Sequence, residues 1–296
     1  MQLLLGLILS ALIGLAAYWR GSLSKSGVGG AILVGTIIFG LGGWAWGALL
    51  VVFFLSSSAL SHYKESLKES LAEKFSKGHR RDLAQTLANG GCGALVVVAN
   101  ALWPHPAWWA AFVGALATVN ADTWATELGV LSAARPRLIT TWRPVERGAS
   151  GGVTFGGTLA AFSGAALIAL IGGYIAGQWA IDSFFVRALS DPSLISGDVL
   201  ATDHIFNAAF YPLVVAANLA GLFGSLLDSW LGATVQAIYF CAHCGKETER
   251  HPAHTCGAQA PTRRLRGWRW LDNDWVNFIS AVVGAALAGG LWLWLT

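Results

Sequence analysis

Four carboxylates stand where a strongly apolar chain has little reason to keep them. Asp122 and Glu127 lie in Asn120-Ala-Asp-Thr-Trp-Ala-Thr-Glu127, at the end of an apolar run. Asp228 lies in Gly224-Ser-Leu-Leu-Asp-Ser-Trp-Leu-Gly-Ala-Thr-Val-Gln236, deep within another. Asp274 opens a third run, in Leu271-Asp-Asn-Asp-Trp-Val-Asn277. Carboxylates of this kind hold divalent cations. Between the first and second pair come Arg135, Arg137, Arg143 and Arg147, then the small-residue run Gly148-Ala-Ser-Gly-Gly-Val-Thr-Phe-Gly-Gly-Thr158. Arginine forks match phosphate geometry, and glycine-rich backbone lets N–H groups approach phosphate oxygens. The loop that carries Ser150, Gly151, Gly152, Thr154, Gly157 and Thr158 leads into a helix start, a second feature suited to anions. The chain has no G-x-x-x-x-G-K-[ST] sequence, so it is not a P-loop protein.

Asp228 carries the strongest constraint. A charged residue at the centre of a bilayer costs about 2.5–3.5 kcal/mol on insertion scales, so it must face protein, water or an ion. Gly221, Gly224, Asp228, Gly232 and Gln236 recur at three or four residues and form one small, polar helix face. Asp-Thr-Trp at 122–124 and Asp-Ser-Trp at 228–230 form a weak internal echo, which would set two acidic groups about one Mg2+. The plainer reading makes Asp228 a hydrogen-bonded packing residue. Asp272 or Asn273 can cap the last helix, whereas Asp274 and Asn277, at i and i+3, share a face that capping does not require. Asn89, in Leu87-Ala-Asn-Gly-Gly91, starts an apolar run after a basic one and serves either as a turn residue or as a ligand group. Lys77, Arg81, Arg143 and Arg147 are candidate phosphate clamps; their plainer role is to flank the membrane.

A different chemistry is written into 240–271. Cys241-Ala-His-Cys244 is a C-x2-C knuckle, followed by His251, His254 and Cys256. On a reducing side of the membrane such a set binds structural zinc in preference to forming disulfides. Cys241, Cys244, His254 and Cys256 make a Cys3His set; His254 pairs with Cys256 in a short turn, and His251 is the alternative. Four protein ligands leave no open position for catalysis.

The elements that must position these groups follow from composition. Of 296 residues 55% are hydrophobic and 12% charged, with 15 Trp; soluble domains carry about 25% charged residues, so the chain is an all-α polytopic membrane protein. With about 20 apolar residues per span, eight transmembrane helices are expected in one integral domain over 1–296. They fall near 2–19, 29–60 as a hairpin broken at Gly40–Gly43, 86–103, 107–121, 152–177, 204–239 with a bend near Gly221–Gly224, and 275–295. The first run lacks a basic leader and a small-residue cleavage site, so it is retained as a span. A polar loop is expected at 122–150, an amphipathic segment at 61–85 and a small Cys/His insert at 240–271. The loops at 20–28, 61–85, 122–150 and 240–271 hold 18 of the 19 Lys and Arg residues, leaving Arg187 alone on the other side. The positive-inside rule therefore puts the N-terminus outside and every polar cluster on the cytoplasmic face of the cytoplasmic, or equivalent inner, membrane.

The stretches 120–132, 136–140, 148–154 with Gly157-Thr158, 227–236 and 271–277 resemble the membrane-protein family that includes plant phytyl-phosphate kinase and animal transmembrane protein 19. The Cys/His insert is similar too. More distantly the chain resembles dolichol kinase, phytol kinase and phosphatidate cytidylyltransferase, membrane enzymes that use CTP and magnesium. The resemblance implies conversion of an isoprenyl or phytyl monophosphate to the diphosphate, with CTP or another nucleoside triphosphate as co-substrate. Asp122 and Asp228 would hold magnesium, with Glu127, Asp274 or Asn277 assisting. The partners expected are an isoprenoid lipid phosphate and the bilayer; no nucleic acid is expected, and a homodimer is an allowed assembly. A nucleotidyltransferase forming a CDP-lipid needs the same parts. An ion-coupled transporter is the third class, since intramembrane carboxylates also line ion pathways.

Overall fold

The computed structural model describes residues 1–64, 80–190, 200–254, 256 and 261–296. Among them are eight long helices: α1 Gln2–Trp19, α2 Lys25–Ile37, α3 Trp44–His62, α4 Leu83–Leu102, α5 Pro106–Gly129, α6 Phe155–Ser190, α7 Leu200–Thr234 and α8 Asn273–Leu295. Six apolar stretches, including α2 together with the π turn Ile38–Gly42 that follows it, are long and apolar enough to cross a membrane. The expected hairpin is present: the π turn ends at Gly43, whose φ of 84° suits glycine.

The two remaining helices, α4 and α5, fail a hydropathy test for a physical reason. Every residue of α5 from Trp109 to Ala121 is buried, so protein rather than lipid surrounds it. Such a helix needs small residues more than greasy ones. Helices α3, α4, α6, α7 and α8 all pack against it. A methyl group at Gly114 would collide with Ala288 of α8, and one at Gly224 of α7 would collide with Thr118. Near the N-terminal end of α5, Trp46, Trp109 and Phe112 pack together, with ring centroids 4.8 to 5.8 Å apart. Buried Asn120 ties three helices: its Oδ1 accepts from Ser56 (2.9 Å) and Ser57 (3.2 Å), and its Nδ2 donates to the Gly164 carbonyl (2.8 Å).

Three boundaries differ from expectation. Helix α5 continues to Gly129 instead of ending at 121, so Asp122 and Glu127 sit on helix and not in a loop. Asp122, Thr123 and Glu127 in those last two turns are half-buried, which lets helical backbone persist where hydropathy falls. Helix α6 runs for 36 residues, to Ser190, or about 54 Å at 1.5 Å per residue. It outlasts the hydrocarbon layer of about 30 Å, and takes in much of the segment read as an outer loop. Helix α7 ends at Thr234 instead of running to 239; its Gly221 and Gly224 admit α5.

The insert is a three-stranded antiparallel sheet in the order β4-β3-β5, with β3 Ile238–Cys241, β4 Lys246–Thr248 and β5 Arg263–Arg266. It is fixed to the end of α7. Arg266 Nη1 donates to the Gly232 carbonyl (2.8 Å), and Trp268 N donates to the Val235 carbonyl (2.8 Å). A second, two-stranded ribbon, β1 Arg137–Leu138 with β2 Gly152–Val153, folds the arginine-glycine loop back on itself.

Candidate active site

Helix α5 delivers Asp122 and α7 delivers Asp228, and both are half-buried. The two carboxylates lie close enough for their charges to act on each other, and Glu249, just past β4, acts on both. Among the described residues no lysine or arginine contributes to the electrostatics of Asp122 or Asp228. Asp228 Oδ2 is out of solvent and has no hydrogen-bond partner there, a costly state for a carboxylate oxygen unless a cation or proton meets it. Ser280 of α8 lies beside Asp228. Three acidic groups, two from helices and one from the insert, thus lie within electrostatic reach of one another, and hard oxygen donors of this kind suit Mg2+.

Gln236 holds the third carboxylate in place. It is buried; its Nε2 donates to Glu249 Oε1 (3.0 Å), and its Oε1 accepts from Ser150 Oγ (2.8 Å). This chain of bonds joins the glycine loop, the end of α7 and the insert. Arg266 adds positive charge near Glu249; burial lowers the guanidinium's pKa, and Glu247 and Glu249 oppose that shift. Sequence reading missed Glu249, Gln236 and Ser280. Only Gln236 left a signal, as the last polar position in the spaced series Gly221–Gln236, two residues past the end of α7.

The glycine loop has a packing reason that its composition does not disclose. A methyl at Gly151, whose φ is 81°, would stand 2.5 Å from Ala233 Cβ. Gly157 is buried against Ala125 and Gly129 of α5. Thr154 caps α6 by accepting from Gly157 N (2.9 Å), and Thr158 Oγ1 returns a bond to the Thr154 carbonyl (3.1 Å). Gly152 pairs with Leu138 in the ribbon. The small residues therefore seat the loop against α5 and α7, at the edge of the carboxylate cluster.

The other expected residues separate into groups. Glu127 lies on the opposite side of the site, where Ser61 Oγ donates to its Oε1 (2.7 Å) and the charge of Arg81 acts on it. Burial lowers the pKa of Arg81 and Glu127 opposes the shift. Arg143 is exposed, and Arg147 donates to the Ala133 carbonyl (3.3 Å); neither is brought to the carboxylates by a described contact. Asp274 and Asn277 are half-buried in the first turns of α8, which packs on α5 and α7. Asp272 caps that helix, its Oδ1 accepting from Asp274 N and Trp275 N at 3.1 Å each. Asn89 is on α4, and no described hydrogen bond brings it to the carboxylates. Lys77 lies outside the described residues.

In the insert, ligand atoms of Cys241, Cys244, His254 and Cys256 all fall within 4.8 Å of one another. The Cys241 and Cys256 sulfurs are 3.5 Å apart, and Cys244 Sγ is 3.3 Å from His254 Nδ1. Tetrahedral zinc with bonds of about 2.3 Å places sulfurs roughly 3.8 Å apart, so the donor set fits a structural ion. The Cys244 backbone N–H holds the Cys241 thiol below its usual range, while burial pushes Cys244 up to about 11. His251 is excluded from the set: it stacks on Tyr239 with centroids 4.4 Å apart, and its Nδ1 is 3.1 Å from Thr262 Oγ1.

Fold and site together define a polytopic helical membrane protein whose acidic centre is built from helix ends and a Cys/His insert. The chain matches the family described as integral membrane protein DUF92 over residues 8–285, and it belongs to that family. It is 36% identical to Protein PGR of Arabidopsis thaliana over 97% of this chain and 94% of that protein. Protein VTE6, chloroplastic, of the same plant is 29% identical over 90% of this chain and 64% of its own length. An uncharacterized membrane protein of Methanocaldococcus jannaschii is 28% identical over 78% of this chain and 82% of the relative. No solved structure matches the chain.

Proposed function

We propose that this protein is a magnesium-dependent phosphotransferase that converts an isoprenyl or phytyl monophosphate to the diphosphate at the cytoplasmic membrane face, with CTP as the favoured donor. The observation that carries the reading is the mutual electrostatic reach of Asp122, Asp228 and Glu249, with no lysine or arginine among the described residues acting on the two aspartates. The family resemblance to plant phytyl-phosphate kinase supplies the substrate class.

Phosphoryl transfer asks little covalent chemistry of a protein; it asks for charge neutralisation and position. An oxygen of the lipid phosphate attacks the γ-phosphorus of the nucleotide, the bond from that phosphorus to the β–γ bridging oxygen breaks, and the nucleoside diphosphate departs. The attacking phosphate is already anionic, so no general base is required. Asp122, Asp228 and Glu249 would hold Mg2+, which would supply charge neutralisation for the phosphate groups. Gln236 fixes the direction of Glu249 and ties it to Ser150. The Gly148–Thr158 loop, at the edge of this cluster, would receive the nucleotide phosphates. Arg81 would take the lipid phosphate, with Arg143 and Arg147 as further clamps. A structural zinc held by Cys241, Cys244, His254 and Cys256 would stabilise the sheet that carries Glu249.

Incubation of purified protein with a panel of prenyl monophosphates, CTP or ATP, and magnesium tests the reading through its products. A prenyl diphosphate and a nucleoside diphosphate are expected. A CDP-lipid with pyrophosphate would reassign the same site to nucleotidyl transfer, and absence of any nucleotide turnover would end the enzymatic reading.

A further inference from the structure

The chain leaves α7 at Thr234 and enters α8 at Asn273, and the insert lies between them. Its entry and exit are bonded to each other: Trp268 N donates to the Val235 carbonyl and Ala237 N to the Leu271 carbonyl, both at 2.8 Å. Leu271 N also donates to the Trp268 carbonyl (3.0 Å), closing a turn that carries Arg269 and Trp270. That turn therefore sits where α8 enters the bilayer. Depth follows from α8 itself, which exposes Trp275 in its first turn and Trp294 in its last. The rise between those two is about 28 Å at 1.5 Å per residue, close to the hydrocarbon thickness of about 30 Å. Tryptophan collects at both edges of that layer, so Trp275 marks one edge.

Aromatic rings continue from this edge onto the insert. Phe278 meets Trp275 with centroids 6.0 Å apart, Trp275 meets Trp270 at 6.2 Å, and Trp270 stacks on Trp268 at 5.8 Å. Trp268, Trp270 and Trp275 are 55%, 57% and 50% exposed, a contiguous apolar surface of the kind that marks a contact with a partner or a membrane. Beside them Arg263, Arg264 and Arg269 are exposed. Among the described residues none of these three arginines has an ion-pair or side-chain hydrogen-bond partner. The stretch 263–270 holds four arginines and no acidic residue; the next carboxylate, Asp272, is occupied as the cap of α8.

We propose that this arginine–tryptophan face docks the insert on anionic phospholipid head groups around the entry of α8. Indole rings settle at head-group level, where one part of the ring meets apolar chain and the N–H meets water. Arginine forks bind phosphate bidentately, and basic side chains beside a negatively charged leaflet are drawn to it. The face therefore favours phosphatidylglycerol over zwitterionic phosphatidylcholine. Docking of this kind requires no phosphoryl transfer, so it stands or falls apart from the kinase reading.

The test places a benzophenone amino acid at Trp270 of the full-length protein, in nanodiscs of equal parts phosphatidylcholine and phosphatidylglycerol. After irradiation, mass spectrometry identifies the lipid joined at that position. Phosphatidylglycerol adducts should exceed phosphatidylcholine adducts by about threefold or more. Arg263→Gln, Arg264→Gln and Arg269→Gln combined should bring the two toward parity. High salt, which screens the arginines without any substitution, should shift the ratio the same way in the unmodified arginine background. Adducts in proportion to the lipids supplied, with no response to salt or to loss of the arginines, would overturn the proposal. Adducts to protein alone would also overturn it, and would reassign the face to a contact within the chain or between two copies.

Discussion

Two polar clusters flank the last turns of α5, and they treat buried carboxylates in opposite ways. On the α3–α4 side Glu127 accepts from Ser61 and sits within the field of Arg81, so its charge is met inside the protein. On the α7 side Asp122, Asp228 and Glu249 gather like charges, with Gln236 as their clearest hydrogen-bonding support and an unsatisfied Asp228 oxygen. The first arrangement is what a protein does with a carboxylate it keeps for positioning. In the second, like charges gather about an oxygen with no described hydrogen-bond partner, where a proton or a metal ion would offset them. The difference of five residues on one helix thus separates a positioning device from a candidate metal seat.

The largest effect should come from the seat itself. Asp228→Asn and Asp122→Asn should each lower kcat by about 1,000-fold or more, in the range seen when a principal electrostatic group is lost. Each should leave the metal-free Tm unchanged or raised, since removing one of several like charges relieves repulsion. A normal kcat, or a fall in Tm that parallels the fall in rate, would break the contrast between the clusters.

Removal of the insert's metal should come next. Cys244→Ser should abolish bound zinc, measured as about one ion per chain in the unmodified protein, and lower turnover about 10- to 100-fold as the sheet carrying Glu249 loosens. Because thiolates are the ligands, zinc should also dissociate as pH falls. Glu249→Gln should retain zinc yet raise the magnesium concentration for half-maximal rate by about 10-fold or more. If both variants respond identically to magnesium, the insert matters only for folding.

On the opposite side, Arg81→Gln removes a cation that acts on Glu127, and should destabilise the protein by roughly 1–3 kcal/mol in thermal or denaturant unfolding. Restoring balance with Arg81→Gln and Glu127→Gln together should recover most of that stability but not the KM for lipid phosphate. The smallest effect belongs to Asp272→Asn. Asparagine caps as well as aspartate does, so stability should stay within about 0.5 kcal/mol and turnover should not change.

How much of this was legible in the sequence follows from what lipid enforces. The eight helices could be counted because a bilayer demands about 20 apolar residues of each. Asp122 and Asp228 stood out because charge in such runs is expensive, and the Cys/His set because knuckle spacing is local. What escaped depends on partners far along the chain. Glu249 is one acidic residue among several in a polar insert, and only the sheet and Gln236 carry it to the aspartates. The last turns of α5 escaped because Asp122, Thr123 and Glu127 are half-buried there, which hydropathy cannot distinguish from exposure to water. That the glycines near 151 and 157 also pack against α7 and α5 escaped, since a backbone that admits phosphate and one that admits a neighbouring helix need the same small residues.

The central claim is that Asp122, Asp228 and Glu249 form one divalent-cation seat. Titration of purified protein with Mn2+ in the presence of CTP, followed by electron paramagnetic resonance, measures this directly. The account predicts one tight Mn2+ site per chain, competed by Mg2+ and lost in Asp228→Asn while Arg81→Gln retains it. Equal Mn2+ binding by the Asp228→Asn variant and the unmodified chain would contradict it.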